Sequence, residues 1–406
     1  AVVGGVGSYV EWFDYGIYAL FAGFFANEFF GEGNKTGAIL ATFAVFAIGF
    51  LTRPTGAWLF GKLSDRKGRQ LVMVVSVIMM SGGSLAIGLS PTFAQIGLWA
   101  AAILLLARLC QGLAMGAEHG SAPCFLAEQA PQKRRAFFTS SYSAMSIAGS
   151  LTGAGLGLLL SSILTDAQMH EFGWRIPFVI AALFGVFGLL IRRLANHEEA
   201  PVDAPASPLK VLWSEHRSTL LRIIPIAGAM SLAYWALLGA FPEMAIAAGA
   251  SSDTAFLANT VGLLVMMCML PVFAALSDRY GRRVILGAGL IAQAIIVVPA
   301  LAFMTHNPSQ VLLVQIVVAF PAAAIEGALY ATLVEKFPAR LRGVGVGVPL
   351  AIGVAVLGGT SPLVQNAMSA CGIPLWGFGF YVLAVLAVGA ACAISFRETA
   401  HQPLPA

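Results

Sequence analysis

Charge is what this 406-residue chain has least of: Asp, Glu, Lys and Arg together make up 10% of it, against roughly 25% in a soluble globular domain. A chain so poor in charge cannot cover itself with a water-facing surface, which excludes a soluble fold. Cysteine is scarce as well. Cys110, Cys124, Cys268, Cys371 and Cys392 all fall in apolar stretches without a C-x-x-C pair, so neither a disulfide framework nor a metal site is expected, and the five read as buried small hydrophobes. There is no G-x-S-x-G, no H-E-x-x-H and no P-loop, so the chain is not expected to be an enzyme or to carry a cofactor. No signal peptide is visible either, because the first apolar run is too long and contains Glu11 and Asp14; a chain starting at Ala1 is expected to lack its natural beginning.

What the sequence does have is apolar surface: 58% of its residues are hydrophobic and the mean hydropathy is +0.84. A membrane span takes about 20 predominantly apolar residues. Helices are expected near 3–26, 36–62, 70–90, 94–125, 136–164, 174–194, 218–245, 254–276, 283–304, 309–335, 340–368 and 374–396. That is an all-α membrane protein of twelve transmembrane helices. Of the 23 Lys and Arg, Arg53 and Arg108 lie within spans, only Lys35 and Arg175 fall in connectors of one side, and all the others crowd the alternate connectors. The positive-inside rule then puts both termini and the middle loop in the cytoplasm. The net charge of +4 reflects this topology, and no nucleic-acid partner is expected.

Two signatures recur half a chain apart. Gly61-Lys62-Leu63-Ser64-Asp65-Arg66-Lys67-Gly68-Arg69 is echoed by Ala274-Ala275-Leu276-Ser277-Asp278-Arg279-Tyr280-Gly281-Arg282, and Glu128-x-x-Pro131-x-x-x-Arg135 by Glu335-x-x-Pro338-x-x-x-Arg342. Two motifs at one period mean two six-helix bundles, expected at 1–194 and 218–406 with a proline-bearing cytoplasmic linker at 195–217. The G-x-x-x-D-R-x-G-R loop resembles the signature of the major facilitator superfamily, over essentially the whole chain. More narrowly, Glu11-Trp12-Phe13-Asp14-Tyr15, Arg53-Pro54-Thr55-Gly56-Ala57, Arg108-x-x-Gln111-Gly112 with Gly116-Ala117-Glu118, and Gly173-Trp174-Arg175-Ile176-Pro177-Phe178 resemble the metabolite:H+ symporter family. The resemblance implies a pseudo-symmetric fold around a central cavity, alternating access, and proton-driven import of an organic acid or a zwitterion across the inner membrane. The departures are Ala274 in place of the loop glycine and Gly116-Ala117 in place of two glycines.

Ionisable groups inside a span cost roughly 2.5–3.5 kcal/mol each, so those present are candidates for function. Ser8, Glu11, Asp14, Tyr15 and Tyr18 share one face of the first helix, and Arg108, Gln111, Met115, Glu118 and His119 one sector of the fourth. Asp14 with Arg108 is the expected proton-coupling pair, assisted by Glu11, since arginine cannot release a proton at ordinary pH. Arg53, Tyr15, Tyr18, Gln111, Glu118, His119, Tyr234, Trp235 and Glu326 are the expected substrate contacts. Asp65, Arg66, Arg69, Glu128, Arg135, Asp278, Arg282, Glu335 and Arg342 are expected to form a cytoplasmic gate. The partners are then a small polar solute, protons and the bilayer, for a chain expected to work as a monomer. Export or exchange of a metabolite or drug, and solute sensing without transport, are the alternatives; the first is disfavoured because helix 5 lacks the proline-containing glycine motif of drug antiporters, the second because no signalling domain is appended.

Overall fold

Long runs of Leu, Ala, Val and Phe offer their backbone no polar partner, and in lipid the helix satisfies every peptide group within one segment. A computed structural model describes residues 2–31, 33–67, 69–116, 121–194, 208–304 and 307–405, by backbone alone at 2–6, 61–73, 121, 189–194 and 208. The described residues are helical almost throughout and contain no strand. The spans of the first half are α1 (Val2–Phe30), α2 (Lys35–Leu51 and on as Arg53–Lys67), α3 (Arg69–Gly88), α4 (Leu98–Met115, then Ser121–Gln129), α5 (Arg135–Ile163) and α6 (Arg175–Leu194). Those of the second are α7 (Pro208–Tyr234, Trp235–Gly239, Phe241–Ala247), α8 (Ser252–Tyr280), α9 (Arg282–Phe303), α10 (Pro308–Val334), α11 (Ala339–Gly353, Val354–Gly358, Ser361–Ala370) and α12 (Leu375–Ile394). Nine of these, among the described residues, are each long and apolar enough to cross a membrane, and the bent pair Asp166–Gly173 and Arg175–Gly188 makes a tenth. The polar-striped α1 and the shorter apolar α3 complete twelve.

The pairing of helices repeats with an offset of six. α1 packs on α5 as α7 does on α11, α3 on α4 and α6 as α9 does on α10 and α12, and α2 on α4 as α8 does on α10. The two bundles meet chiefly along α5, which lies against α8 and α10. Close approach inside the first bundle depends on glycine: a Cβ on Gly112 would come within 2.0 Å of the Gly49 carbonyl oxygen, and one on Gly116 within 2.1 Å of that of Arg53. These contacts draw α2 against α4 and so bring Arg53 and Arg108 to the one ring of Tyr15.

Three features differ from the sequence-based reading. The fourth span starts at Leu98, because Gly97 (φ 59) breaks the chain after a single capped turn at Phe93–Ile96. The segment 208–217, expected in the linker, is helical and joins the seventh span across a kink at His216 (φ −122, ψ 16); the rest of the linker, 195–207, lies outside the described residues. The cysteines are not uniformly buried: Cys110, Cys268 and Cys371 are exposed and Cys392 is half-buried, leaving Cys124 as the buried one. In a membrane bundle an outward apolar face meets lipid rather than water, so hydrophobicity alone does not assign a side chain to the interior.

Candidate functional site

α1 brings its polar face inward. Asp14 is 1% and Arg108 0% exposed, and their side chains meet at 3.4 Å between Nη1 and Oδ2. The other Asp14 oxygen accepts a short hydrogen bond from the Ser84 hydroxyl. Ser84 in turn accepts from Gln111 Nε2 at 3.0 Å, and the same amide reaches the Met80 carbonyl at 3.3 Å. Three helices, α1, α3 and α4, are therefore tied together at one buried carboxylate. Sequence reasoning missed Ser84, although Ser81-Gly82-Gly83-Ser84 interrupts an apolar span.

The guanidinium groups of Arg108 and Arg53 lie over the Tyr15 ring, 5.0 and 4.7 Å from its centre, and reach further rings at Tyr18 (3.9 Å) and Phe50 (3.8 Å). Arg108 Nε and Nη2, Arg53 Nε and Nη1, and the Tyr15 hydroxyl are buried without a hydrogen-bond partner. Cation–π contact compensates part of the desolvation of two arginines, but the N–H groups remain short of acceptors, a cost rarely left standing without a use. Tyr18 does not join them. Its hydroxyl donates to the Thr42 carbonyl at 2.9 Å and its ring packs on Phe25 and Phe46, so it supports the site from behind.

From Tyr15 an aromatic layer runs through Phe50 (4.9 Å) to Trp235 (5.6 Å) and on to Trp12 (5.9 Å). Beyond it lies a small cavity between the two bundles, lined by Trp12, Ser143, Ser146 and Ile147 from one and Tyr234, Met266, Glu326 and Tyr330 from the other. Glu326 accepts a hydrogen bond from Ser143 (2.8 Å), and Tyr234 donates to Ser150 (2.6 Å). Trp235 opens a π-helical turn, Trp235–Gly239, one of the rare windings that concentrate at functional sites. Glu11 is buried on a different wall. It lines a separate cavity inside the first bundle, with Ser76, Met80 and Met115. Glu118 and His119 lie outside the described residues.

At the end of the molecule that bears the repeated motifs, ionic contacts join the bundles. Arg135 meets Glu335 at 2.7 Å, and Arg342 meets Glu128 in a short contact. Each glutamate thus pairs with the arginine of the other repeat, not of its own. Arg282 holds Glu335 (3.1 Å) and Asp278 (2.7 Å), while the Asp278 carboxylate accepts the backbone N–H groups of Ala136 and Phe137, each at 2.9 Å. An aspartate of the second bundle therefore caps the first turn of α5. The side chains of Asp65, Arg66 and Arg69 lie outside the described residues. At the opposite end aromatic rings join the bundles, with Phe256 against Phe21 (5.5 Å) and Phe24 (6.4 Å), and the Glu243 carboxylate of α7 lies against Gly23 of α1.

The family model for "Sugar (and other) transporter" matches residues 1–201 and that for the "Major Facilitator Superfamily" residues 223–405. The alpha-ketoglutarate permease of Escherichia coli (strain K12) is 36% identical over 94% of this chain and 90% of its own length. The chain belongs to the major facilitator superfamily. A proline/betaine transporter of Salmonella typhimurium is 31% identical over 98% of this major facilitator chain and 83% of its own length. Among solved structures, the proton:xylose symporter XylE superposes with a TM-score of 0.74 at 16% identity, covering 99% of this chain and 96% of that one; at that identity the likeness speaks for the fold. This major facilitator protein is accordingly a multi-pass membrane transporter of small molecules, and not an enzyme.

Proposed function

We propose that the protein imports a small carboxylate-bearing metabolite, an organic acid or a zwitterion, by proton symport across the inner membrane, with both termini cytoplasmic. The buried Asp14–Arg108 pair carries this reading. While Asp14 is ionised it satisfies Arg108. Protonation removes that partner, and a buried cation left uncompensated costs about 3–5 kcal/mol, unless a substrate carboxylate takes the vacated place. Substrate without a proton sets two carboxylates on one guanidinium; a proton without substrate strands the cation. Both half-loaded states are therefore unfavourable, which couples the two fluxes. Arginine remains charged throughout, so the proton enters and leaves at the Asp14 carboxylate.

Arg53 and the Tyr15 hydroxyl, with donors to spare, are the second contacts for the carboxylate, reached when Phe50 and Trp235 swing aside. Glu326, in the cavity wall, suits the cationic end of a zwitterion. Bundles 1–194 and 218–406 rock as rigid bodies, in a chain that works as a monomer, and Glu128, Arg135, Asp278, Arg282, Glu335 and Arg342 close the cytoplasmic gate between them. The names of the relatives, a permease for alpha-ketoglutarate and transporters of proline and betaine, fall in the same two substrate classes.

The test is uptake into liposomes under an imposed pH gradient, with a panel of dicarboxylates, monocarboxylates, betaines and amino acids. One class should acidify the lumen together with its entry, and Asp14→Asn should abolish accumulation while sparing exchange. Accumulation that survives Asp14→Asn removes Asp14 as the coupling group.

A further inference from the structure

The chain beyond α12 does not leave the protein. It turns at His401, whose φ of 66 is rare for a residue with a side chain, and runs along the junction between the bundles as far as Pro405, with Leu404 packed on the core. On the second bundle, the Glu398 carboxylate accepts the N–H groups of Arg282 (2.9 Å) and Arg283 (3.1 Å) at the start of α9. The Thr399 hydroxyl donates to Glu335 at 2.6 Å, and Lys336 and Arg342 donate to the Arg397 and Pro405 carbonyls at 2.8 and 2.9 Å. On the first bundle, Gln132 Nε2 donates to the His401 carbonyl at 2.6 Å, and both terminal nitrogens of Arg135 reach the Gln402 carbonyl at 3.4 Å.

We infer that residues 397–405 form a third component of the gate, a strap whose docking on both bundles holds the motif-bearing end of the cavity closed. Its contacts converge on the groups that join the bundles: Arg135 holds Glu335 and the strap together, Glu335 holds Arg135, Arg282 and Thr399, and Arg342 holds Glu128 and the strap. Parting the bundles at this end must break Arg135 from Glu335 and Arg342 from Glu128, and it separates Gln132 and Arg135 from Arg342 and Lys336, which anchor the strap on the far side. Irregular backbone loses conformational entropy at every residue it orders, so a strap that has lost one bank has little to keep it on the other. Docking and closure are therefore linked. Burial alone would raise the Glu398 carboxyl, but N–H groups of Ala400, Arg282, Arg283 and Thr399 outweigh it and hold the group below the usual glutamate range. The anchor on α9 is thus ionised at neutral pH.

The inference rests on the alternating-access reading, and the experiment separates the two. In a background with the five native cysteines replaced, Met266→Cys on the cavity wall is labelled with a membrane-impermeant maleimide from each face of oriented vesicles. A chain ending at Ala400 keeps the Glu398 and Thr399 bonds but loses every contact to the first bundle. It should label several-fold faster from the motif-bearing face and more slowly from the other, and Gln132→Ala should shift both rates in the same directions by less. Equal rates in the parent and the folded, shortened chain overturn the strap; should the shortened chain not fold, parental rates in Gln132→Ala do so alone. Met266→Cys that labels from one face alone, in the parent and in both variants alike and with or without a transport substrate, would instead unseat alternating access.

Discussion

Arg108 in α4 and Gln315 in α10 each stand twenty residues before the glutamate of the repeated motif, and each reaches across to the first helix of its own bundle. Arg108 finds the Asp14 carboxylate on α1. Gln315 Nε2 finds the Leu237 carbonyl on α7, at 2.6 Å, inside the π-helical turn. One position in the repeat thus serves a titratable pair in the first bundle and a fixed, neutral brace in the second. The rims of the bundles remain symmetric in charge while their interiors have diverged, which under the proposed symport separates the coupling carboxylate in the first bundle from the π-helical turn of the second.

Breaking this comparison most violently means giving the second bundle the charge of the first. Gln315→Arg buries a cation where Gln315 now donates to the neutral Leu237 carbonyl and should cost about 3–5 kcal/mol, read as a fall in thermal stability or loss of the monodisperse peak in detergent. Arg108→Gln makes the converse change. It leaves Asp14 without its counter-charge and should reduce proton-driven accumulation at least tenfold, while the protein still inserts and folds.

Smaller effects sharpen the contrast. Glu326→Gln retains a group able to accept from Ser143 and should weaken binding of a zwitterion about tenfold while leaving a simple organic acid nearly unaffected, as measured by competition for uptake. Ser84→Ala removes one hydrogen bond to the Asp14 carboxylate, worth about 1.5–3 kcal/mol to a charged group, and should slow transport several-fold at an unchanged KM. The smallest effect concerns the strap. The folded-state Glu398 carboxyl lies below its ordinary value, so its contribution is complete above the unfolded value of about 4.3 and is lost only as pH falls through the lower folded value. The ratio of Met266→Cys labelling from the two faces, in which the thiol's own ionisation cancels, should therefore be flat from about pH 5 to 8 and shift toward the motif-bearing face only in stronger acid; a shift near pH 6 points to another group.

Much of the fold was legible because the bilayer imposes simple lengths and signs. The stripe Glu11, Asp14, Tyr15 was readable from helical spacing, and the structure turns it inward. The same spacing placed Tyr18 among the substrate contacts, whereas its hydroxyl is spent on Thr42; periodicity gives the face of a helix but not what stands opposite. Ser84 escaped notice because a serine in an apolar span is as often bonded to its own backbone, and here it does both. The crossed pairs Glu128–Arg342 and Glu335–Arg135 could not be read at all. Within one motif the two residues are neighbours in sequence, and only the apposition of the bundles shows that each prefers the partner from the other side.

The chain by itself therefore determined the features that local chemistry and the surrounding solvent dictate: helices throughout, two repeats, inward polar stripes, and which ionisable groups sit at a depth where they need a reason. Tertiary structure decided which of these groups meet. Partners such as Asp14 and Arg108, or Asp278 and the first turn of α5, lie far apart along the chain, and a hydrogen bond is made or lost over less than an ångström. No periodicity in sequence carries position to that precision.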